Sequence, residues 1–228
     1  MMSVERTQTE ALFDEVSFGY EEAYADCEPI YTAIKWVLSE LETAGIKPAK
    51  TVDIGCGTGR PICSSFAEVG HDVLGIDLSG GMIAEARKRV PLPNATFQKV
   101  DTRDFNPPPA SFDAITLVFS LIAGVTQDEI RAVIAKLYNI LKPGGLLVFA
   151  TVPIEGNNVD ISWMGRPVTV SSLSPANTVE EIKKVGFEIV KAEETKYNPA
   201  KASDLGLCKA EDVWEEDHIW VYAKKPSA

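Results

Sequence analysis

The stretch "VDIGCGTGR" places three glycines, Gly55, Gly57 and Gly59, two residues apart and directly after a short apolar run. Glycine permits unusual backbone angles and leaves room for a ligand against the bare chain. A dinucleotide-binding fingerprint has the spacing G-x-G-x-x-G, in which the third glycine directs a helix N-terminus at pyrophosphate. Here the spacing is G-x-G-x-G. The pattern therefore indicates a ligand-binding turn that differs from a pyrophosphate site.

Three aspartates accompany these glycines at strand-like apolar runs. Asp53 lies just ahead of the glycines and suits a cationic amine, directly or through water. Asp77 follows Gly55 by 22 residues and suits a bidentate contact with two ribose hydroxyls. Asp101 ends the next run and suits an exocyclic amine such as adenine N6. Together the three carboxylates describe a nucleoside that carries a positive amino-acid tail and no phosphate.

Alternating strands and helices are needed to bring these residues together. From "KTVDIG" to "LLVFATVP", five apolar runs of strand length alternate with helical patterns, and "FEIVKAEETKY" and "DHIWVYAKK" add two later strands. This alternation predicts a parallel sheet with helices on both faces. Ligands of such sheets bind beyond the carboxyl ends of the strands, where the strand order reverses. The glycines and aspartates are thus expected at one edge of the sheet.

The composition excludes several classes of partner. The chain of 228 residues has a formal net charge of -11 and a pI near 4.7, which argues against nucleic acid as a substrate. No apolar run approaches the roughly 18 residues of a membrane-spanning helix, and no secretory signal is expected at the N-terminus. The cysteines lack CxxC spacing, which predicts free thiols in a cytoplasmic, reducing compartment and no zinc site. These cysteines are Cys27, Cys56, Cys63 and Cys208.

Five segments in order resemble the successive motifs of class I S-adenosylmethionine (SAM)-dependent methyltransferases. They are "VDIGCGTGR", "GIDLSGGMI", "VDTRDF", "FDAITLVFSL" and "LKPGGLLVF", and the resemblance covers roughly residues 50–153. It implies SAM as cofactor and an α/β fold with a Rossmann-like, doubly wound, seven-stranded sheet. The sheet would be mostly parallel, with an antiparallel last strand beside the fifth, helices on both faces and an N-terminal helical lid.

The resemblance also implies which residues hold the cofactor. The glycines would line the methionine moiety, and Asp101 and Thr102 would contact the edge of the adenine. Asp77 would grip the ribose, with Leu78 and Met82 beside the adenine or ribose, while Phe119 and Ser120 would face the reacting sulfonium. The predicted cofactor-binding residues are Tyr20, Asp53, Gly55, Gly57, Gly59, Asp77, Leu78, Met82, Asp101, Thr102, Phe119 and Ser120.

The acceptor side is predicted from topology. The resemblance implies that residues 1–45, with a helical pattern over 21–44, form the lid and that 46–228 form the SAM-binding core. Substrate-side insertions are expected near 153–172 and 197–217, because both lie over the same sheet edge. The residues predicted to contact the acceptor are Tyr24, Trp163, Met164 and Trp214.

Methyl transfer from a sulfonium is an in-line displacement, so orientation and desolvation supply much of the acceleration and a base is needed only when a proton must leave. His218 begins the last strand. If that strand is antiparallel, His218 lies at the cofactor edge and is the best candidate general base, with a packing histidine as the alternative. The acids around Trp214 form either a rim that attracts a cationic acceptor or a solvated charged face. They are Glu211, Asp212, Glu215, Glu216 and Asp217.

Absent motifs narrow the reaction. After strand four the chain reads "VFSLIAG", in place of the Asn/Asp-Pro-Pro-Tyr/Phe pattern of DNA and glutamine amide methyltransferases. It also lacks the cysteine of the cytosine-C5 enzymes there and the magnesium-holding acids of catechol enzymes. These absences favour metal-independent methylation of a small metabolite. His218, as a candidate base, favours oxygen over nitrogen as the atom that is methylated. Two alternatives stay open: a SAM-binding protein with a non-methylating role such as cyclisation or scaffolding, and a nicotinamide-dependent oxidoreductase, which the glycine spacing disfavours. Both a monomer and a homodimer are compatible with the sequence.

Overall fold

The structure is a computed structural model that describes residues 4–227. Its strands are β1 Lys50–Ile54, β2 Asp72–Asp77, β3 Ala95–Lys99, β4 Phe112–Val118, β5 Leu141–Thr151, β6 Gly156–Trp163, β7 Arg166–Ser172, β8 Glu188–Tyr197 and β9 Glu216–Lys224. Its α-helices are α1 Val4–Val16, α2 Tyr20–Ala23, α3 Glu28–Thr43, α4 Ile62–Glu68, α5 Gly80–Arg89, α6 Gln127–Ile140, α7 Pro175–Lys184 and α8 Lys201–Asp204. None of these helices is long and apolar enough to cross a membrane.

Seven strands form one sheet in the order β3-β2-β1-β4-β5-β9-β8. Strands β1 to β5 are parallel to one another, and β9 is antiparallel to both β5 and β8. The strand order reverses between β1 and β4, which is where open α/β sheets bind ligands. The predicted fold class, with an antiparallel strand placed beside the fifth, is confirmed.

Helices cover both faces of this sheet because its strands are apolar on both sides. In β4 every residue except the last is buried. One core cluster joins the sheet to α3, α4 and α5, and the other joins it to α6 and α7. Helix α6 begins with a capping box between Thr126 and Glu129, which fixes where the chain leaves the sheet edge.

The N-terminal segment differs in detail from the sequence prediction. Helix α1 occupies a stretch that carries no clear periodic signal, and the single helix predicted over 21–44 is divided into α2 and α3. The division lies just before Pro29, which occupies the first turn of α3. Proline is favoured there because its missing N–H has no helical partner to lose.

Two further segments lie above the carboxyl ends of the parallel strands. Strands β6 and β7 form a separate antiparallel hairpin within the predicted insertion 153–172. The segment between β8 and β9 contains α8 and a short 3-10 helix at Ala210–Asp212. Since β9 runs antiparallel, its first residue, Glu216, lies at this same edge.

Candidate active site

A cavity opens at the carboxyl ends of β1, β2 and β4 and encloses about 1100 Å³, its open mouth included. We call it the strand-end cavity. Eleven of the twelve predicted cofactor-binding residues line it: Tyr20, Asp53, Gly55, Gly57, Asp77, Leu78, Met82, Asp101, Thr102, Phe119 and Ser120.

The turn after β1 depends on glycine for two different reasons. Gly55 has φ +70°, and a Cβ there would lie 1.9 Å from the Cβ of Ser120, so no side chain fits. Gly57 has φ +52°, and its nearest neighbour to a Cβ would be the sulfur of Met82 at 3.8 Å. Gly57 therefore presents bare backbone to the cavity, whereas Gly55 allows β1 and the residue after β4 to approach closely.

Asp77 is held in place by the turn that it faces. Its Oδ1 accepts a hydrogen bond from the backbone N–H of Ser79 at 2.8 Å, and its Oδ2 accepts one from that of Gly57 at 3.0 Å. Burial raises the pKa of Asp77 to about 6, despite these donors. Each oxygen keeps a lone pair for a further donor, which suits a pair of vicinal hydroxyls.

Asp53 lies deeper in the same wall and is 3% exposed. It accepts a hydrogen bond from Thr116 Oγ1 at 2.6 Å and one from Cys63 Sγ at 3.5 Å. Burial raises its pKa to about 6, and the nearby charge of Asp77 adds to the increase. Neither Asp53 nor Asp77 has a Lys or Arg partner within residues 4–227. A buried carboxylate and a half-buried one, neither paired with a cation, fit a ligand that brings its own ammonium and hydroxyl donors, as SAM does.

Asp101 differs from the other two acids because arginines already hold it. Arg103 donates to both of its oxygens, at 2.9 and 2.7 Å, and Arg6 lies 3.4 Å away. Burial opposes ionisation, but the hydrogen bonds from Arg103 outweigh it and lower the pKa of Asp101. Arg103 carries no signal in the sequence for this role beyond its position two residues after Asp101.

Within the described part of the chain, no group of three or more His, Cys, Asp or Glu residues is arranged to hold a metal ion.

A second cavity adjoins the first beneath the β6–β7 hairpin, and we call it the hairpin cavity. It encloses about 630 Å³, its mouth included. Its walls are mostly apolar and aromatic, with contributions from α1, the lid residues Tyr20 and Tyr24, the hairpin and the start of β9. Among the described residues that line it, Glu216 is the only one with a charged side chain. Residues common to both cavities are Phe13, Tyr20, Tyr24, Phe119, Ser120 and Ala123.

Phe119 lies at the junction of the two cavities. Its φ of +55° is in the left-handed region, which is uncommon for a residue with a side chain and costs about 1 kcal/mol or more. The centroid of its ring lies 4.3 Å from that of the His218 ring and 5.3 Å from that of the Trp220 ring. These contacts hold the strained turn after β4 against the start of β9.

Tyr24, Glu216 and His218 form a buried hydrogen-bonded group beside this junction. The hydroxyl of Tyr24 donates to Glu216 Oε1 at 3.0 Å, and His218 Nε2 lies 3.1 Å from Glu216 Oε2. Burial raises the pKa of Tyr24 well above its usual range, and the charge of Glu216 adds to this. The phenol therefore remains a donor to the carboxylate.

The sequence analysis placed Glu216 with the acids around Trp214 and did not predict that its side chain is buried beside the cavity. Glu216 is 5% exposed, whereas its neighbours Glu215 and Asp217 are exposed. Alternation along β9 explains the difference, because residues two apart share a face of a strand. The spacing of Glu216 and His218 was the signal available in the sequence.

Three predicted site residues do not line either cavity. Gly59 points inward, and a Cβ there would lie 3.1 Å from Phe97 and Val90, which gives this glycine a packing role. Met164 packs beneath the lid in a cluster with Val16 and other apolar residues. His218 is fully enclosed, and its Nδ1 has no hydrogen-bond partner among the described residues. The remaining predicted acceptor residues, Tyr24, Trp163 and Trp214, do line the hairpin cavity.

The lid is closed over both cavities by hydrogen bonds to the core. Thr58 Oγ1 donates to Glu21 Oε2 at 2.8 Å, and Arg89 reaches Glu21 and Glu22 at 2.9 Å each. Asp14 of α1 accepts a hydrogen bond from the backbone N–H of Gly81 at 2.8 Å, at the start of α5. An acid at a helix N-terminus is stabilised there by the helix dipole.

Comparisons with known proteins agree with this geometry. Residues 51–145 match a family described as "Methyltransferase domain". A curated relative, the dTDP-3-amino-3,4,6-trideoxy-alpha-D-glucopyranose N,N-dimethyltransferase of Streptomyces venezuelae, is 38% identical over 98 residues, which are 42% of this chain and 40% of that protein. The chain spans about half the length of the curated relatives that it matches.

Two solved structures are similar along almost the whole chain. Magnesium protoporphyrin IX methyltransferase (ChlM) from Synechocystis PCC 6803, with bound S-adenosylhomocysteine (SAH), has a TM-score of 0.68 at 18% identity, covering 97% of this chain and 99% of its own. The [4+2]-cyclase SpnF has a TM-score of 0.66 at 18% identity, covering 100% of this chain and 98% of its own. At this identity the likeness shows the fold.

The matching family, the fold and the strand-end carboxylates lead to the same assignment as the sequence motifs. SAM is the cofactor of that family, and the residues of the strand-end cavity fit it. The chain therefore has the fold of class I SAM-dependent methyltransferases, and its residues 51–145 match a methyltransferase domain.

Proposed function

We propose that this protein transfers a methyl group from SAM, bound in the strand-end cavity, to a small acceptor bound in the hairpin cavity. The observation that carries this proposal is the common wall of the two cavities, in which Phe119 and Ser120 line both. Ligands in two adjoining cavities can lie next to each other, and an in-line displacement requires such an approach. The lid above this junction shields it from water, because Tyr24 is buried and Tyr20 is partly buried against the same apolar cluster.

The residues of the strand-end cavity divide the binding of SAM among them. Asp77 would accept hydrogen bonds from the ribose, and Asp53 would neutralise the amino group of the methionine tail. Gly57 leaves space for the backbone of that tail, and Leu78 and Met82 offer an apolar surface to the adenine or ribose. When bound, SAM supplies a methyl on a sulfonium, which a lone pair of the acceptor attacks as the carbon–sulfur bond breaks and its electrons stay on sulfur.

The walls of the hairpin cavity support an apolar or aromatic acceptor. They include Phe13, Trp163 and Trp214 together with several aliphatic side chains. Aromatic walls bury a large apolar area and favour flat ligands. The acceptor atom is proposed to be a hydroxyl oxygen or an amine nitrogen. We also propose that the protein acts in the cytoplasm as a monomer or a homodimer. The net charge of -11 supports the part of the proposal that excludes nucleic acid as a partner.

Calorimetric titration with SAH tests the first half of this function. Wild-type protein is expected to bind SAH, and Asp77→Ala is expected to weaken binding roughly 100-fold, since two hydrogen bonds to a charged group are lost. Asp72→Ala is the matched control, because Asp72 begins the same strand at its opposite, exposed end. Equal binding by wild type and Asp77→Ala, or binding of NADH in place of SAH, would contradict the proposal.

Incubation with SAM and a panel of phenols, aryl alcohols and aryl amines tests the second half. SAH formation with any of them, lost in Asp77→Ala, supports methyl transfer. Tight SAM binding without SAH formation from any member would favour the non-methylating role that the sequence leaves open. The likeness to the cyclase SpnF makes that comparison worthwhile.

A further inference from the structure

Glu216 is a buried, charged residue in the wall of the hairpin cavity. It begins β9 and is 5% exposed. Of the described residues that line this cavity, it alone has a charged side chain, and the others are apolar or neutral. A buried carboxylate is expensive unless hydrogen bonds satisfy it. An apolar site with one such group is typical of ligand pockets, in which a few polar atoms fix the orientation of the ligand.

Two side chains hold the carboxylate from behind. Tyr24 donates to Oε1 at 3.0 Å, and the Nε2 of His218 lies 3.1 Å from Oε2. For this second contact to be a hydrogen bond to a carboxylate, Nε2 must carry the proton. His218 itself cannot reach the cavity, because its ring is fully buried and packs 4.3 Å from that of Phe119. The imidazole therefore acts on a ligand only through Glu216.

Each carboxylate oxygen accepts two hydrogen bonds, so one site on each oxygen of Glu216 is left over after Tyr24 and His218 are counted. Glu216 lines the cavity, and so these sites are available to a donor on a ligand. The same wall contains Phe119 and Ser120, which also line the strand-end cavity. A donor group held by Glu216 therefore lies close to the junction at which methyl transfer is proposed.

We propose that Glu216 binds the O–H or N–H of an aromatic acceptor and receives its proton during transfer, with Tyr24 and His218 as positioning residues. This inference rests on the proposed function. As the acceptor's lone pair forms its bond to the methyl carbon, the electrons of the breaking carbon–sulfur bond stay on sulfur. The acceptor's proton passes to an oxygen of Glu216, which becomes a neutral carboxylic acid. The products are the methylated acceptor and SAH, and the proton later returns to water.

The test measures binding, because the natural acceptor is unidentified. Two flat aromatic probes are used in the presence of saturating SAH: 2-naphthol, which has the O–H donor, and 2-methoxynaphthalene, which lacks it. Wild-type protein is expected to bind 2-naphthol about tenfold more tightly or better, as for a hydrogen bond to a charged acceptor. In Glu216→Gln this preference is expected to shrink to about twofold, while 2-methoxynaphthalene binds as before.

Glu215→Gln is the matched control. It makes the same chemical change one residue away, at an exposed side chain that pairs with Lys196 outside the cavity. It is expected to keep the full preference for 2-naphthol. His218→Phe retains a ring but removes the N–H donor, and its preference for 2-naphthol is expected to fall severalfold without loss of SAH binding. A residue with a purely structural role would lower the affinity for both probes equally.

Each remaining outcome is decisive. If Glu216→Gln binds SAH and still prefers 2-naphthol as strongly as wild type does, Glu216 does not hold the acceptor's donor. If the wild type binds SAH but neither probe, the hairpin cavity is not an aromatic acceptor site and the inference fails while the cofactor assignment stands. If wild type does not bind SAH either, the proposed function itself is wrong.

Discussion

The strand-end cavity and the hairpin cavity meet at Phe119 but are built in different ways. The first is formed largely by the ends of parallel strands and the turns that follow them, where glycines expose backbone and aspartates accept hydrogen bonds. The second is formed by long side chains from a helix of the lid, the inserted hairpin and the start of an antiparallel strand. One cavity thus belongs to the sheet, and the other to segments laid over it.

This difference suggests how the two halves of the site tolerate change. The position of Asp77 follows from hydrogen bonds to the turn itself, so the cofactor half is fixed wherever this sheet forms. The acceptor half depends on contacts such as that of Tyr24 with Glu216, which are 192 residues apart in the chain. Loops and insertions on a rigid scaffold change more readily than its core, and so substrate choice can vary while cofactor binding persists.

The largest effect is expected from Gly55→Ala, which attacks the sheet-built half. The new Cβ would overlap the side chain of Ser120 at 1.9 Å, and the residue would keep φ +70°. We expect destabilisation of about 3 kcal/mol or more from overpacking and backbone strain together, with loss of SAH binding. Chemical denaturation and calorimetry measure both.

Gly45→Ala provides the comparison for that variant. Gly45 has φ +66°, yet a Cβ there meets nothing within 4 Å. It should cost only the conformational part, about 1 kcal/mol, and leave SAH binding intact. Equal destabilisation by the two substitutions would show that the contact between Gly55 and Ser120 is not a tight one.

A second prediction uses pH to distinguish Asp53 and Asp77, whose pKa values are raised, from Asp101, whose pKa is lowered. The pKa of Asp77 and that of Asp53 are both raised to about 6 by burial, so in the free protein they gain protons as the pH falls below that value. A ligand that donates to a carboxylate binds the ionised form, and protons must then be released at low pH. Affinity for SAH is therefore expected to fall about tenfold from pH 7 to pH 5 for each carboxylate that must ionise.

Titrations at several pH values check this directly. Asp77→Asn cannot titrate at this position, so its weaker binding of SAH should depend less on pH. Its affinity should fall only about tenfold from pH 7 to pH 5, through Asp53 alone. Binding that tightens at pH 5 in the wild type would contradict the assignment of these acids to donors of the ligand. Asp101 should contribute nothing to the effect above pH 5, because Arg103 keeps its pKa below the usual range.

Most of the cofactor half could be predicted from the sequence, because its determinants are local. A glycine next to an apolar run and an acid at the end of the next one are recognisable in order, and parallel strands bring their ends to one edge. The exception is instructive. Gly59 belongs to the same motif, but its missing Cβ leaves space that Val90 and Phe97 fill, which spacing alone does not reveal.

The acceptor half was predictable only as a set of segments. Trp163 and Met164 are adjacent in the chain, yet one lines the hairpin cavity and the other packs under the lid. In the acid run, Glu216 differs from Glu215 only because the pairing of β9 with β8 fixes which residues face inward. Such register is set by contacts between distant segments, so a single run of letters does not specify it.

The smallest effect is expected at the lid, which contributes residues to both cavities. Arg89 binds Glu21 and Glu22 of the lid at 2.9 Å each, and its side chain is 18% exposed. Arg89→Met keeps the length of the side chain and removes the charge, which should loosen the closed lid by about 1 kcal/mol. SAH dissociation is then expected to quicken severalfold, and affinity for an acceptor probe should fall by a similar factor, since Tyr20 and Tyr24 line both cavities. Arg131→Met, which removes a more exposed arginine of α6 that pairs with Asp128, is the control. A loss confined to SAH would mean that the lid serves the strand-end cavity alone, and that the acceptor is held by the hairpin and β9 without it.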